Sequence, residues 1–233
     1  MILTVRATFL SIVFLCCCFG SLLAADKDST GVRASKDLGL YIGGAYSLGR
    51  MESKTIEEFN ASPELSNSIG MLAGFCYNFY IGKTSIVRPA VEAFFLPMSI
   101  EYPADFGRTT MRQVFPMTVE FPVSWIYSSF RTKSFPRPKA KPEFGFSLRP
   151  VLAMKTLSEL QPVLRSTNIN TDVFIGYPFS NDKSVMRLEL YYSHGWFNLI
   201  GNDTDRYTSS ITSLQRHVLG LRCIFHENDF SAW

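Results

Sequence analysis

Few side chains in this sequence are spaced as an active site requires. Gly82-Lys83-Thr84 resembles the end of a phosphate-binding loop, but Tyr77 stands where the first glycine of that loop belongs. No helical pattern follows the triplet, and no G-x-S-x-G motif offers a hydrolase nucleophile. We therefore expect neither a nucleotide site nor a serine nucleophile.

Histidine and cysteine side chains could bind a metal ion if they were suitably spaced. His194, His217 and His226 are scattered along the chain and show no metal-ligand spacing with Cys76 or Cys223. The strand pattern below directs Cys76 inward and Cys223 outward, so we do not expect a disulfide between them. The sequence predicts no metal and no cofactor.

Carboxylates could act as acid and base if two of them met in a cleft. Here arginines alternate with them on the same predicted strand faces, so a structural network of ion pairs is the favoured interpretation and an enzyme is not expected. The predicted interior charges are Arg88, Glu92, Glu120, Glu143, Arg149, Asp172, Arg187, Glu189 and Arg222.

The elements that would position these charges follow from a period-two alternation of apolar and small or polar residues, which is typical of β-strands. In the first segment, Leu38, Leu40 and Ile42 alternate with small residues. Segments of this kind, each about ten residues long, cover 38–48, 68–79, 85–96, 117–127, 143–153, 170–179, 185–194 and 216–225. They predict an all-β fold, an eight-stranded antiparallel up-and-down transmembrane β-barrel.

The beginning of the chain has the layout of a cleaved secretory signal peptide. Arg6 precedes an apolar stretch, and the small residues Ala24 and Ala25 precede a polar segment. The predicted organisation is a signal peptide over 1–25, a periplasmic segment over 26–37, the barrel over 38–226 and a C-terminal tail over 227–233.

The connections alternate between long and short. Long gaps over 49–67, 97–116, 154–169 and 195–215 fall on one side, which predicts that both termini lie on the periplasmic side. The connection over 128–142 is long although a short turn is expected there. Its basic residues form either a solvated turn or a periplasmic docking loop, and they are Arg131, Lys133, Arg137, Lys139 and Lys141.

A soluble β-sandwich would show the same alternation. Aromatic residues such as Trp125, Phe144, Tyr177 and Phe225 stand mostly towards the strand ends, on the face opposite the charges. Aromatic girdles at both ends of an apolar belt are typical of membrane barrels. This arrangement favours the barrel.

Several segments, in order, resemble the PorT-like outer-membrane β-barrel proteins of Bacteroidetes. They include GLYIGGAYS in the first strand, SIVRPAVEAFF over 85–95, VEFPVSWIYSSF over 119–130 and RPKAKPEFGFSLRP over 137–150. The most specific is VFIGYPFSNDKSVMRLELYYSHGWFNLI over 173–200. The resemblance implies an eight-stranded barrel, and its best-known branch implies a component of the type IX secretion machinery.

Three functions remain open. The first is a non-catalytic, structural or assembly component of a secretion complex in the bacterial outer membrane, with lipid and secretion-complex proteins as partners. The second is a small passive pore or a surface adhesin that acts through the long loops, and the third is an exported soluble β-sandwich that binds a ligand. The formal net charge of +3 gives no indication of a nucleic-acid partner.

Overall fold

The protein is described from a computed structural model. It describes residues 32–55, 62–81, 84–103, 109–114, 117–128, 141–154, 165–180, 184–200 and 209–227. No helix among these residues is long and apolar enough to span a membrane.

The described residues form fourteen strands and no α-helix. In chain order they are β1 Val32–Ser47, β2 Arg50–Ser53, β3 Glu64–Ser66, β4 Ile69–Ile81, β5 Ser85–Phe95, β6 Met98–Pro103, β7 Thr109–Val114, β8 Met117–Glu120, β9 Val123–Tyr127, β10 Glu143–Ala153, β11 Thr167–Ser180, β12 Ser184–Gly195, β13 Ile211–Gln215 and β14 His217–Glu227.

Nine of these segments close into an eight-stranded antiparallel barrel, in which β8 and β9 together form one interrupted strand. The order around the wall is β1, β4, β5, β8 with β9, β10, β11, β12 and β14, and β14 returns to pair with β1. The closing pairs run from Gly39 opposite His226 to Ser47 opposite Val218. The predicted eight-stranded up-and-down barrel is thereby confirmed, and the sandwich is excluded because the described wall strands form one sheet that closes on itself.

The first strand begins earlier than predicted. Val32 and Ala34 pair with Ile81 and Phe79, and a register shift separates this part of β1 from Leu38 onward. The barrel wall therefore includes Val32 to Asp37, which the sequence assigned to a periplasmic segment. The sequence pattern did not indicate a strand there because charged residues break the apolar alternation.

The interruption between β8 and β9 lies at Phe121 and Pro122. Proline has no N–H to donate, so a regular ladder cannot continue through it. The flanking hydrogen bonds nevertheless keep this strand in the wall. Ala90 N donates to the carbonyl of Pro122 at 2.8 Å, and Phe121 N donates to that of Pro150 at 2.9 Å.

The long connections were predicted to be loops, and this was wrong for parts of them. β2 pairs with β13, and β6 pairs with both β3 and β7, so these five strands form two small sheets at one end of the barrel. We call these strands the cap and their end of the barrel the cap end. The opposite end, where β1 begins and β14 ends, is the terminal end.

The cap has its own apolar core. The interior-facing parity of β5 continues into β6, where Met98, Ile100 and Tyr102 are buried. These side chains cluster with Leu199 and Leu214, among others. At the cap end, beyond the charged side chains, the interior is therefore filled by apolar side chains.

Candidate functional site: a charged interior and an apolar exterior

Alternation along each strand sends one set of side chains inward, and this set contains the predicted charges. All nine are at least nine-tenths buried, with exposed fractions between 0% and 4%. Burial at this level is costly unless each charge has a partner, so their contacts decide what the interior can do.

Arg149 on β10 is the centre of one group. Its Nη1 donates to Glu92 Oε2 at 2.5 Å and to Glu120 Oε2 at 2.8 Å. Its Nη2 and Nε donate to Asp172 Oδ2 at 2.6 and 2.8 Å, and Ser147 Oγ donates to the same oxygen at 2.7 Å. One guanidinium thus ties together carboxylates from three other strand segments, β5, β8 and β11.

Arg222 lies on β14, the strand that closes the barrel against β1, and it extends this group to that seam. Its Nε donates to Glu189 Oε2 at 2.7 Å, and its Nη1 donates to Glu92 Oε1 at 3.3 Å. Arg88 Nη1 donates to the other oxygen of Glu189 at 2.7 Å. Glu92 joins Arg222 to Arg149, so the ion pairs form a continuous network across the interior.

Sequence reasoning missed one member of this network, Arg216. It is buried, its Nη2 lies 3.3 Å from Glu120 Oε1, and its guanidinium carbon lies 4.8 Å from the centre of the Phe94 ring. Arg216 and Arg222 are an even number of residues apart, so strand alternation directs both side chains inward. This pattern could have identified Arg216 from the sequence. Within the described ranges, Arg216 brings the buried charges to five arginines and five carboxylates, so the interior is formally neutral.

A second group lies nearer the terminal end. Arg187 Nε donates to Glu143 Oε2 at 3.1 Å, and Ser128 Oγ donates to Glu143 Oε1 at 2.5 Å. The Asn78 amide nitrogen lies 3.3 Å from His226 Nε2, and Arg88 Nε donates to Asn78 Oδ1 at 3.2 Å. Polar side chains thus fill this end of the interior.

Three aromatic side chains fill the space between the charges. Tyr41, Phe174 and Tyr191 lie over glycines of neighbouring strands, where a Cβ would meet their rings; these glycines are Gly74, Gly145 and Gly220. The Arg222 guanidinium carbon lies 5.9, 5.2 and 5.1 Å from the centres of the three rings. The absence of a side chain at each glycine allows a large ring to fit inside a narrow barrel.

The buried carboxylates of this interior are all engaged in ion pairs. Each of the five buried carboxylates in the described part of the chain accepts from at least one arginine. An acid–base pair would need carboxylates free to meet a substrate. No group of three or more His, Cys, Asp or Glu side chains in the described ranges is placed to hold a metal ion.

The exterior shows the opposite chemistry. Large apolar residues on the outward parity are highly exposed, including Ile69 at 77%, Phe75 at 60% and Phe146 at 60%. The same outward set continues around the wall with Leu40, Ile42, Val91, Val123, Leu148, Val173, Ile175, Leu190, Leu219 and Leu221. We call this surface the apolar belt.

The structure also corrects the description of the histidines as scattered. His194 on β12 and His217 on β14 stand opposite each other, with ring centres 4.6 Å apart. His226 lies apart from them, against Asn78. Cys76 is buried and Cys223 is partly exposed, and both are free thiols.

The predicted docking loop over 128–142 is described only at its two ends. Arg131, Lys133, Arg137 and Lys139 lie outside the described residues. Lys141 is described and is exposed.

Comparison with family models finds no match, and comparison with curated proteins finds none. Among solved structures, the chain is similar to Neisserial surface protein A, with a TM-score of 0.44 and 15% identity over 83% of this chain and 97% of that one. It is also similar to the outer membrane protein OprG from Pseudomonas aeruginosa, with a TM-score of 0.41 and 11% identity over 84% and 95% of the two chains. The strand pairing described above defines the barrel independently of these likenesses.

Proposed function

We propose that this chain is a non-catalytic β-barrel of the bacterial outer membrane that serves as a closed structural component. One observation carries the proposal: the usual polarity of a water-soluble protein is inverted. Charged side chains are buried and paired, whereas large apolar side chains cover the outside. A soluble monomer rarely exposes a contiguous apolar surface larger than a few hundred Å².

Lipid is the solvent that this exterior fits. A closed barrel satisfies its backbone hydrogen bonds between strands, as a hydrocarbon environment requires. Its belt carries aromatic residues towards the strand ends, for example Tyr127 and Phe179, which are 54% and 44% exposed. Such residues suit the interface between hydrocarbon and water.

The interior supports a closed barrel over a pore. An eight-stranded barrel has an interior just wide enough for side chains. Here the Arg149 and Arg222 network occupies the middle, and the cap core fills the cap end. We infer that the protein does not conduct ions at a measurable level.

A role in protein secretion is the more specific part of the proposal. It is supported by the resemblance to PorT-like barrels and by the basic connection over 128–142. The partner would be a secretion-complex protein with an acidic surface, docking at the terminal end. Exchanging Arg131 and Lys133 for glutamates should abolish co-purification of that partner while leaving the barrel folded, and unchanged co-purification would count against this role.

The architecture and the closed state can be tested together. Detergent-extracted protein is run on SDS gels with and without boiling, and the folded barrel is expected to change mobility on boiling. The same protein is then added to planar bilayers, where no steady single-channel current is expected. Recovery in the soluble fraction would reject the membrane assignment, and large steady currents would reject the closed barrel alone.

A surface-binding role is the second candidate, and the cap favours it. β7 pairs with β6, and no second strand partner for β7 is described, so its other edge offers backbone groups to an added strand. Met111 on β7 is 59% exposed. An adhesin should lose binding to its target when Met111 is replaced by proline, whereas a scaffold that docks at the terminal end should keep its partner.

A further inference from the structure

His194 and His217 are directly opposite residues on neighbouring antiparallel strands. Leu48 N donates to the carbonyl of His217 at 2.8 Å, so the backbone polar groups of His217 point towards β1 and away from β12. The two histidines therefore form a non-hydrogen-bonded pair, the arrangement in which cross-strand side chains come closest. The register brings the imidazoles together although they lie far apart in sequence.

Both rings are partly exposed on the outward face, at the cap end of the apolar belt. Aromatic neighbours flank them. Tyr192 is nearly parallel to His217, with ring centres 6.4 Å apart, and Trp196 meets His194 edge-on at 4.8 Å. Trp196 is itself held by a hydrogen bond from Nε1 to Thr171 Oγ1 at 2.9 Å. The pair thus sits on an ordered strand surface.

The hydrogen bonding of His217 leaves it free to act as a ligand. Its Nδ1 is buried and has no hydrogen-bond partner among the described residues. No hydrogen bond at this nitrogen holds the ring in one tautomer, and no hydrogen-bond donor competes with a metal for its lone pair. Arg50 on β2 pairs with Glu52 at 3.2 Å, which partly offsets its charge.

Two imidazoles at this spacing suit one particular ligand class. Metal–nitrogen bonds of about 2.0–2.1 Å allow two ligating nitrogens to lie at most roughly 4 Å apart. The ring centres of His194 and His217 lie 4.6 Å apart, close to that spacing. Neutral imidazole favours zinc, copper and nickel over the hard cations magnesium and calcium.

We propose that His194 and His217 form a two-histidine site for a divalent transition-metal ion at the cap-end rim of the barrel. Water completes the coordination, because no third His, Cys, Asp or Glu side chain is placed to join them in the described ranges. The ion is therefore exchangeable, and it bridges β12 and β14. The site should bind Cu²⁺ more tightly than either Ni²⁺ or Zn²⁺.

The neighbouring indole supplies the readout. The chain has three tryptophans, and the variant Trp125→Phe/Trp233→Phe keeps Trp196 alone. Cu²⁺ is titrated into this detergent-solubilised full-length variant while its fluorescence is recorded. Because Trp196 contacts His194, a copper ion bound there should quench the emission, and excess Zn²⁺ should restore it by displacement.

Single substitutions then test whether both rings bind one ion. In the Trp196-only background, His194→Gln and His217→Gln should each weaken Cu²⁺ binding at least about tenfold, since a chelate loses a ligand in either case. His226→Gln is the matched control and should leave binding unchanged, because His226 lies apart from the pair. Mobility shifts on unheated SDS gels verify that each variant is folded.

Electron paramagnetic resonance of the unsubstituted protein gives an answer that does not depend on variants. Coupling of bound Cu²⁺ to two equivalent imidazole nitrogens is expected. Coupling to one nitrogen, or full affinity in either His194→Gln or His217→Gln, would show binding by a lone surface histidine and would overturn the proposal. The absence of saturable quenching would overturn it as well.

Discussion

At the scale of single residues, the charge balance around Arg149 decides whether the interior tolerates its carboxylates. This guanidinium pairs with Glu92, Glu120 and Asp172 in a space that water does not reach. The value of such a pair lies less in its net attraction than in the penalty for breaking it, because a buried charge then remains without compensation.

Arg149→Met should therefore destabilise the barrel strongly. Methionine retains much of the side-chain volume but leaves the carboxylates with fewer partners, so the free energy of unfolding should fall by about 3–5 kcal/mol. Urea unfolding in detergent or lipid vesicles measures this change. Arg50→Met is the matched control, since the exposed Arg50–Glu52 pair should contribute at most about 1 kcal/mol. Equal effects of the two substitutions would contradict a buried network.

Sequence parity was enough to place Arg149 and its partners on one face, but it could not pair them. The contact between Arg149 and Glu92 joins residues 57 positions apart, and that between Arg222 and Glu92 spans 130. Such partners depend on the curvature and register of the closed wall, which a linear pattern does not contain. The meeting of His194 with His217 was missed for the same reason.

At the scale of elements, glycines on one strand make room for rings from the next. A Cβ at Gly220 would meet the ring of Tyr191, whereas a Cβ at Gly44 on the outward face would meet nothing nearer than a backbone oxygen at 3.8 Å. Both glycines are in strands, so they share a backbone cost and differ in what surrounds them.

This pair allows a matched substitution. Gly220→Ala should lower the free energy of unfolding by about 1–3 kcal/mol, because Tyr191 must move in a filled interior. Gly44→Ala should be neutral or stabilising by up to about 1 kcal/mol, since it only removes backbone freedom. Thermal loss of the unheated gel mobility reports both. Similar losses in the two variants would mean that the ring contact does not matter.

The eight wall strands could be predicted because each repeats its alternation over several residues. The cap strands are short, with three residues in β3 and four in β2, and so offer no sustained period. β2 is ordered by β13, through pairs such as Arg50 with Gln215. Long-range pairing of this kind overrides weak local preference, which explains why these segments were expected to be loops.

At the scale of the whole molecule, introducing a charge tests whether the apolar belt faces lipid and how deep its residues lie in the bilayer. In a bilayer, arginine on the lipid-facing side costs about 2–4 kcal/mol at the midplane and about 0–1 kcal/mol near the interface. Leu221 lies near the middle of β14 and Phe225 near its end, both on the outward face. Leu221→Arg should thus destabilise the barrel in vesicles much more than Phe225→Arg. Equal, small effects would indicate that water covers the belt.

The neutrality of the interior has a consequence for the order of assembly. The last segment of the wall carries Arg216 and Arg222 inward, while the described carboxylates it meets belong to earlier strands. Before β14 docks against β1, those strands carry five buried carboxylates against three arginines, so the described interior has an excess of negative charge. A barrel left open between β14 and β1 is therefore unfavourable in a membrane. Closure supplies the missing positive charges and the missing strand in a single step. We therefore expect a chain truncated before Arg216 to form a less stable barrel than the full chain, because two buried arginines and one wall strand are then missing.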